Sequence, residues 1–369
     1  MQFIDLAAQQ KRIRPQIEAG FKKILDHGQY ILGPEIKEIE EKLAAFTGMP
    51  HAVSVASGTD ALLMPLLAEG IGPGDAVFAP TFTFIATAGA IALTGATPVF
   101  VDIDPETFNI DPDKLEEAIQ KTIRAKKLVP RGIIPVDLFG QPADYPAIQA
   151  IAEKHKLLVL EDAAQSFGAV QNGSKAGALA RVAGTSFFPA KPLGGYGDGG
   201  MIFTDDAGMH EKLLSIRVHG QGTDKYTNVR VGINGRMDSL QAAVLLAKMT
   251  IFPEEIERRQ EVAARYDRLL AGAVKTPKIL PGNVSAWAQY SVLHPRRDEV
   301  IKRLRDNNIP TAVYYPIPLH LQEAFANLGY RQGDFPVAEK IAGEIFSLPM
   351  HPYLDRQAQE KISEIIKQP

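Results

Sequence analysis

The sequence predicts an α/β protein in which helices cover both faces of a mainly parallel seven-stranded sheet, followed by a smaller C-terminal α/β domain. The first observation is that short β-rich runs, bounded by Gly, Pro, Asp or Thr, alternate with helical patterns through most of the 369 residues. The second is the composition, 45% hydrophobic and 22% charged, which is that of a globular chain long enough to bury a large core. A sheet of this kind binds ligands at the carboxyl ends of its strands.

Two helices are predicted before the sheet. Apolar residues between Ile13 and Leu25 recur at helical spacing and stop at Gly28, a residue suited to a left-handed C-cap. A second helix is predicted from Pro34, with an apolar stripe that includes Ile36 and Leu43. The seven β-rich runs follow, at 52–55, 76–80, 97–103, 132–140, 157–162, 185–189 and 200–204.

The last third of the chain is predicted to leave the sheet through a long helix. The pattern is helical from Met237 to about Leu270. The elements predicted beyond it are strands near 286–294 and 311–315 and helices near 297–306, 335–346 and 355–367. The sequence therefore predicts a large domain at 1–250 and a small α/β domain at 251–369.

Charge and residue content exclude several classes of protein. A net charge of -3 gives no field that would attract nucleic acid or an acidic membrane. The absence of cysteine excludes disulfides, thiolate metal sites and a cysteine nucleophile, and no other metal site is predicted. The N-terminal residues are charged where a signal peptide needs an apolar core, and no stretch reaches membrane-spanning length, so a cytoplasmic location is expected.

Two strand ends carry groups suited to a phosphorylated ligand. Ser57-Gly58-Thr59 lies where a β-run gives way to a helix, and backbone N–H groups at a helix start bind anions. An ordinary helix N-cap is the alternative. Glu161 and Asp162 end another β-run, so that one of them faces inward and needs a positive partner, although Asp162 could instead cap a following helix.

Lys191 lies in SFFPAKPLGGYGDGG, between an apolar run and five glycines that allow the chain to fold tightly around it. A solvated loop lysine or a phosphate-binding lysine is one interpretation. The P-loop spacing is absent and no G-x-G-x-x-G follows the first β-run, which counts against nucleotide binding and an NAD-type oxidoreductase. A desolvated lysine can instead form a Schiff base with a carbonyl. Together with a carboxylate, an aromatic ring and a phosphate cradle, it predicts a pyridoxal phosphate site.

Eight motifs occur in order along the chain: ASGTDAL, PTFTFIATAGAI, PVFVDIDPETFNID, EDAAQSFGA, SFFPAKPLGGYGDGG, RVHGQG, NGRMDSLQAA and YYPIPLHLQEAF. Together they resemble the DegT/DnrJ/EryC1/StrS family of pyridoxal-phosphate-dependent nucleotide-sugar aminotransferases, which have fold type I. Six further segments most resemble the branch that aminates C3 of UDP-2-acetamido-2-deoxy-3-oxo-D-glucuronate for O-antigen and related surface polysaccharides: FIDLAAQQ, GQYILGPE, SFFPAKPLG, RVGINGRMD, AQYSV and TAVYYPIPL.

The resemblance implies roles for the cofactor-binding residues. Lys191 would form the Schiff base and act as the acid–base group, and Asp162 would bind the pyridine N–H. Gln165 would hydrogen-bond the phenolic oxygen. Phe84 would stack on the ring, where its alternative from the residues alone is a plain core aromatic. The phosphate would be held by Gly58, Thr59 and Ser186.

The resemblance also implies a shared active site and a substrate pocket. Asn234 would reach the phosphate of the neighbouring subunit, so the active unit would be a homodimer. Arg236 could bind the uronate carboxylate as a bidentate pair, with a surface or interface salt bridge as the alternative. Tyr314, Tyr315 and His320 would lie near the sugar.

The function expected on this basis is transamination of a keto nucleotide sugar with L-glutamate as the amino donor, with pyridoxamine phosphate as the amine carrier between the two halves. The principal substrate alternative is a 3- or 4-keto-6-deoxy sugar linked to dTDP or UDP. A non-catalytic sensor that binds pyridoxal phosphate on the same fold is a remote alternative, which the presence of Lys191, Asp162 and Gln165 makes less favourable.

Overall fold

The computed structural model describes residues 1–224 and 226–368. Its strands are β1 (His51–Val55), β2 (Asp75–Pro80), β3 (Thr97–Val101), β4 (Val129–Ile133), β5 (Leu158–Asp162), β6 (Val170–Gln171), β7 (Ser174–Lys175), β8 (Val182–Ser186), β9 (Gly200–Thr204), β10 (Asn283–Val284), β11 (Tyr290–Leu293) and β12 (Ile345–Leu348). Its α-helices are α1 (Leu6–His27), α2 (Pro34–Thr47), α3 (Gly58–Ala68), α4 (Ala86–Leu93), α5 (Pro112–Ala125), α6 (Tyr145–His155), α7 (Ala207–Ile216), α8 (Ser239–Met249), α9 (Phe252–Leu270), α10 (Arg297–Asp306), α11 (Pro336–Glu344) and α12 (Arg356–Ile366).

The main sheet has seven strands in the order β1-β9-β8-β5-β4-β2-β3. The pairs β2/β3, β2/β4, β4/β5 and β5/β8 are parallel, and only β9 runs antiparallel to its two neighbours. The predicted mainly parallel sheet is therefore confirmed. Two strands differ most from the prediction, since β8 begins and ends three residues before the expected run at 185–189, and β4 ends at Ile133 rather than continuing to 140.

The alternation of side chains along each strand explains why helices cover both faces of the main sheet and form three layers with it. In β2, Val77 packs with α3, α4 and α7 on one face, while Phe78 packs with α5 and α6 on the other. Successive side chains of a strand point to opposite faces, so an all-apolar strand requires helices on both. Nearer the β1 edge, Phe203 of β9 packs with residues of α2, α8 and α9. The predicted α/β architecture follows from these three apolar clusters.

Local signals fix where several helices begin and end. Gly28 ends α1 in a left-handed conformation with φ 71°, and its N–H donates to the carbonyl of Ile24, as predicted. The long helix predicted from Met237 to Leu270 is instead two helices, α8 and α9, which are separated at Thr250 and Ile251. Pro253 in the first turn of α9 explains the break, because a proline ring clashes with the carbonyl four residues earlier in a continuous helix.

The C-terminal segment forms a separate apolar cluster, in which Tyr266 of α9 packs with β11, β12, α10 and α12.

Residues 311–315, predicted as a strand, make only one isolated bridge, between Ala312 and Ser347. Pro310 and Pro316 flank this segment and cannot donate to a ladder, which explains the wrong prediction. The helix predicted at 335–346 ends at Glu344, because β12 begins at the next residue, Ile345. The boundary between 250 and 251 stays a prediction.

Across the described ranges, no helix has the length and apolar character needed to span a bilayer.

Asp137 is a fully buried carboxyl just beyond β4. Its Oδ1 accepts hydrogen bonds from the N–H of Ala143 at 3.0 Å and the hydroxyl of Tyr145 at 3.0 Å, and its Oδ2 accepts from the hydroxyl of Ser166 at 2.7 Å. Burial is the largest influence on this carboxyl and raises the pKa of Asp137 to about 7, although the three hydrogen bonds oppose it. The core therefore contains a carboxyl group, that of Asp137, which is partly protonated at neutral pH.

Glu161 on β5 is buried beside Asp137. Its two oxygens accept from the N–H groups of Gly177 at 2.6 Å and Leu179 at 2.9 Å. Burial and then the charge of Asp137 raise the pKa of Glu161 well above its ordinary value. Burial thus disfavours the ionised form of Glu161, whereas Asp162, the next residue, lies at the sheet edge.

Asp137→Asn should become more stable relative to the wild type as the pH rises from 5 to 8. The native pKa of Asp137 is raised, so its stabilising contribution is complete below about pH 4 and is lost as the pH rises toward 7. Asn does not titrate, and the difference in unfolding free energy should grow by about 2–4 kcal/mol over this range. Urea unfolding of the cofactor-free protein at several pH values measures it, with exposed Asp306→Asn as the matched control. A pH-independent difference for Asp137→Asn would show that this carboxyl is ionised throughout.

Candidate active site

The predicted site residues converge on the carboxyl edge of the main sheet. Asp162 is the last residue of β5, and Ser186 is the last residue of the neighbouring β8. Lys191 lies in the loop after β8, where its charge interacts with that of Asp162. Parallel strands bring their ends to one edge, so residues far apart in sequence share one cleft.

Lys191 is held by a compact loop. Its N–H donates to the carbonyl of Phe188 at 2.9 Å, and the N–H of Gly195 donates to the carbonyl of Phe187 at 2.7 Å. A Cβ on Gly194 would lie 2.4 Å from the carbonyl oxygen of Pro189, so only glycine fits that turn. Burial lowers the pKa of the Lys191 amine, with the charge of Asp162 acting in the opposite direction. More of the amine is therefore unprotonated and nucleophilic near neutral pH.

Asp162 is 4% exposed, and its two oxygens have different partners. Oδ2 accepts from the hydroxyl of Thr87 at 2.8 Å, and Oδ1 accepts from the N–H of Ala164 at 3.2 Å. Burial raises the pKa of Asp162, and the Thr87 hydrogen bond opposes that shift. A turn rather than a helix follows, so the alternative that Asp162 caps a helix is wrong.

Thr87 was missed by the sequence analysis. It lies at the second position of α4, whose sequence ATAGAIAL is otherwise apolar or glycine. A hydroxyl in such a helix was the available signal, but its partner on β5 is 75 residues away. Only the packing of α4 against the sheet shows that Thr87 orients Asp162.

Gln165 links the sheet edge to the C-terminal segment of the chain. Its Oε1 accepts from the N–H of Phe139 at 2.7 Å, and its Nε2 donates to the hydroxyl of Tyr315 at 3.1 Å. The Tyr315 ring lies 6.2 Å from the ring of Phe84. Phe84 is 53% exposed, so the alternative that it is a plain core aromatic is wrong. Its open face is available to stack on a planar ligand.

The start of α3 and the end of β8 form an anion cradle. Ser57 caps α3, since its hydroxyl accepts from the N–H of Asp60 at 3.1 Å, so the N-cap interpretation also holds. A Cβ on Gly58 would lie 2.6 Å from the Cβ of Ser186. Glycine is thus required for the helix start and the Ser186 hydroxyl to lie side by side. Thr59 follows in the first turn, where N–H groups have no partner inside a helix.

Asn234 and Arg236 lie on a segment beside this cradle, where the N–H of Ala56 donates to the carbonyl of Gly235 at 3.0 Å. Asn234 is exposed. Arg236 is half-buried, and its Nε has no hydrogen-bond partner among the described residues. The segment therefore carries a donor, the Nε of Arg236, that no described residue of this chain satisfies.

The three predicted substrate residues of the C-terminal segment, Tyr314, Tyr315 and His320, have different surroundings. Tyr315 lies against Phe84, whereas Tyr314 is half-buried against Phe3, with ring centroids 6.4 Å apart. The side chain of His320 is fully buried. Its Nδ1 lies 2.7 Å from the Thr81 hydroxyl and its Nε2 3.1 Å from the Glu339 carboxylate. The structure therefore contradicts a substrate contact for His320, because both ring nitrogens are engaged away from solvent.

The arrangement fits a phosphorylated pyridine aldehyde. It combines a desolvated amine, a buried carboxylate that hydroxyl and amide groups hold, an exposed aromatic face and a cradle that a Cβ on Gly58 would fill. These are the groups that pyridoxal phosphate requires. No cluster of three or more His, Cys, Asp or Glu side chains suited to a metal ion occurs in the described part of the chain.

Comparisons with known proteins agree with this geometry. The chain is 51% identical over 356 residues to the UDP-2-acetamido-2-deoxy-3-oxo-D-glucuronate aminotransferase of Pseudomonas aeruginosa, with 96% of each protein covered. It matches the crystal structure of a DegT DnrJ EryC1 StrS aminotransferase from Brucella abortus with TM-score 0.97 and 50% identity, over 100% of this chain and 98% of that one. It also matches ntda from Bacillus subtilis with bound cofactor PMP, with TM-score 0.89 and 30% identity, over 99% of this chain and 83% of that one.

The family comparison covers nearly all of the sequence. The match to the DegT/DnrJ/EryC1/StrS aminotransferase family runs over residues 11–367. It includes the phosphate cradle, the Lys191 loop and the small domain, and it confirms the resemblance seen in the motifs. The protein belongs to the DegT/DnrJ/EryC1/StrS aminotransferase family.

Proposed function

We propose that this protein transfers the amino group of L-glutamate to a keto nucleotide sugar, and that the sugar is UDP-2-acetamido-2-deoxy-3-oxo-D-glucuronate. The observation that carries the proposal is the placement of Lys191 and Asp162 together at the sheet edge. The similarity to the Pseudomonas enzyme supports the choice of sugar. The product would be the 3-amino sugar, used for O-antigen or another surface polysaccharide.

The cofactor in this proposal is pyridoxal phosphate, which when bound supplies an electron sink for the carbanion formed at the amino carbon. Asp162 would hold the pyridine N–H, and its buried position makes that charge-assisted hydrogen bond strong. Gln165 would hydrogen-bond the phenolic oxygen while keeping its bond to Tyr315. Phe84 would cover one ring face. Gly58, Thr59 and Ser186 would bind the phosphate, with Asn234 of a second subunit reaching it from outside.

Lys191 would serve both halves of the reaction as the acid–base group. Its Nζ would remove the proton from Cα of L-glutamate and, in the second half, deliver a proton to the sugar carbon that receives the amine. Its lowered pKa favours the first step, because a smaller fraction of the amine is protonated than in a solvated lysine and more of it can accept a proton.

The uronate assignment rests on Arg236 and on the similarity to the Pseudomonas enzyme. The Arg236 guanidinium has an Nε without a partner among the described residues, and a carboxylate is the group that a guanidinium binds in a bidentate manner. A 3- or 4-keto-6-deoxy sugar linked to dTDP or UDP is the alternative substrate, and it offers no carboxylate. The sensor alternative is less favoured, because Lys191, Asp162 and Gln165 are all placed for chemistry.

A homodimer is part of the proposal. Large apolar side chains are exposed next to Lys191 and next to Asn234 in the sequence, namely Phe188 at 52% and Val231 at 92%. Exposed apolar patches of this kind mark protein interfaces. The exposure of Asn234 on the same segment as Val231 is consistent with its reaching a neighbouring subunit. We also propose a cytoplasmic location, with which the absence of cysteine is compatible.

Lys191→Ala should abolish the visible absorbance band that pyridoxal phosphate gives when bound to a lysine. The wild type should show the band, lose it on addition of L-glutamate, and regain it on addition of the UDP-linked 3-oxo-glucuronate. Exposed Lys121→Ala, the matched control, should behave like the wild type. A band that persists in Lys191→Ala would contradict the assignment of the lysine. Recovery only with a keto-deoxysugar would contradict the assignment of the sugar.

Arg236→Met should lower kcat/KM for the uronate roughly 30- to 1,000-fold, since loss of one partner of a charge-assisted pair costs about 2–4 kcal/mol. The same change should have little effect on a keto-deoxysugar, which has no carboxylate to lose. Steady-state kinetics with both sugars measures the ratio. Exposed Arg230→Met is the matched control. Equal losses on both sugars would show that Arg236 binds a part that the two share, such as the diphosphate.

Lys191→Ala and Asn234→Ala should complement each other in mixed dimers. If Asn234 acts across the interface, a hybrid dimer contains one doubly altered site and one intact site. Coexpression with two affinity tags, followed by sequential purification, isolates the hybrid. Its activity should approach half that of the wild-type dimer, although each parent is impaired. A hybrid with no more activity than the mean of its two parents would place Asn234 in its own subunit's site.

A further inference from the structure

Lys248 on α8 is an unusual side chain for the interior of this fold. It is 1% exposed, and its Nζ has no hydrogen-bond partner among the described residues. A buried ammonium without an acceptor is costly, and an apolar side chain of the same size would suit the position better on stability grounds. A residue that costs stability is a candidate for a functional role.

Lys248 contacts the Lys191 loop, the loop after β8 that carries Lys191 and is also called the catalytic loop below. Its Nζ lies 4.6 Å from the centroid of the Tyr196 ring, within the range of a cation–π interaction. Tyr196 lies five residues after Lys191 in the same loop. Its ring packs against the apolar cluster of α1 and α8 that includes Ile13 and Val244. Tyr196 therefore inserts the far end of the Lys191 loop between two helices.

Gln241, two turns earlier on α8, fixes the backbone of the same loop. Its Oε1 accepts from the N–H of Tyr196 at 2.8 Å. A Cβ on Gly195 would lie 2.8 Å from Oε1, and a Cβ on Gly197 would lie 2.8 Å from Nε2. The amide of Gln241 is thus enclosed by the two glycines on either side of Tyr196. One helix therefore binds both the backbone and the ring of this residue.

We propose that Gln241 and Lys248 are positioning residues for Lys191, which hold the catalytic loop against α8 through Tyr196. Neither residue touches the reacting atoms in this proposal. Each restricts the loop so that Lys191 stays at the sheet edge facing Asp162. The proposal rests on the role proposed above for Lys191 and extends it to a helix that the motif around Lys191 does not include.

The cost of the buried charge makes the proposal testable. Burial lowers the pKa of Lys248 to about 8, and Glu255 on α9 is the charge that opposes the shift. Because the pKa of Lys248 in the folded protein lies below the ordinary 10.5, the unfolded chain binds more protons than the folded chain between pH 8 and 10.5. The charged Lys248 therefore destabilises the fold most below pH 8. Lys248→Met should therefore leave the thermal midpoint unchanged or raised at pH 7, while the loop loses its cation–π contact.

The experiment compares Lys248→Met, Gln241→Ala and Gln241→Glu, with exposed Lys361→Met as the matched control. The measurements are the thermal midpoint, amide hydrogen exchange at Tyr196 in the cofactor-free protein, and kcat and KM of the loaded enzyme. We expect at least tenfold faster exchange at Tyr196 in Lys248→Met and Gln241→Ala, and roughly tenfold lower kcat with KM changed less than twofold. Gln241→Glu keeps an acceptor for Tyr196 and should retain most of the protection.

Each outcome decides the matter. Unchanged exchange at Tyr196 in both Lys248→Met and Gln241→Ala would overturn the proposal, as would faster exchange with unaltered kcat. A lowered midpoint with exchange raised throughout the protein would assign both residues to general stability and would overturn it too. Amide exchange is measured without cofactor, so its result holds even if Lys191 proves not to be catalytic. Failure of the positioning proposal can therefore be distinguished from failure of the proposed function.

Discussion

The site depends on the burial of two opposite charges, Lys191 and Asp162, at one edge of a parallel sheet. Asp162 is held by a hydroxyl and a backbone N–H, which orient it without neutralising it. Burial lowers the pKa of the lysine and raises that of the aspartate. Both groups are therefore left in less stable ionised forms than in water, and a ligand that satisfies both gains binding energy. The rest of the architecture maintains this condition.

Maintaining it requires support from several distant elements. Thr87 on α4 orients Asp162, and Gln165 connects the same sheet edge to Tyr315 of the small domain. Below them, Asp137 and Glu161 are buried with raised pKa values, so the core beneath the site carries less negative charge than its four oxygens suggest. A site of this kind costs stability, which the three apolar clusters around the main sheet offset.

The side of the site that would receive the sugar under the proposed function is built differently. Asn234, which is exposed, and Arg236, which is half-buried, lie on the segment that hydrogen-bonds Ala56 beside the start of α3. In the proposed function most cofactor contacts come from the rigid sheet edge, whereas Arg236 on a loop would bind the uronate and Asn234 of a second subunit would reach the phosphate. This division explains how a family can keep one reaction while the sugar varies, since loops change without disturbing the sheet.

The sequence by itself determined the layers of the fold and located the residues proposed to bind the cofactor, because strand alternation, helix caps and short motifs are local signals. Asp162 ends a β-run, and Ser57, Gly58 and Lys191 each follow one within a few residues. Local patterns failed where distant chain decides the outcome: residues 311–315 form no strand, and His320 points into Thr81 and Glu339 rather than to the cleft. Only the tertiary structure showed the partners of Asp162 and of the Lys191 loop, since Thr87, Gln241 and Lys248 make contacts with residues 45 to 75 positions away in the chain.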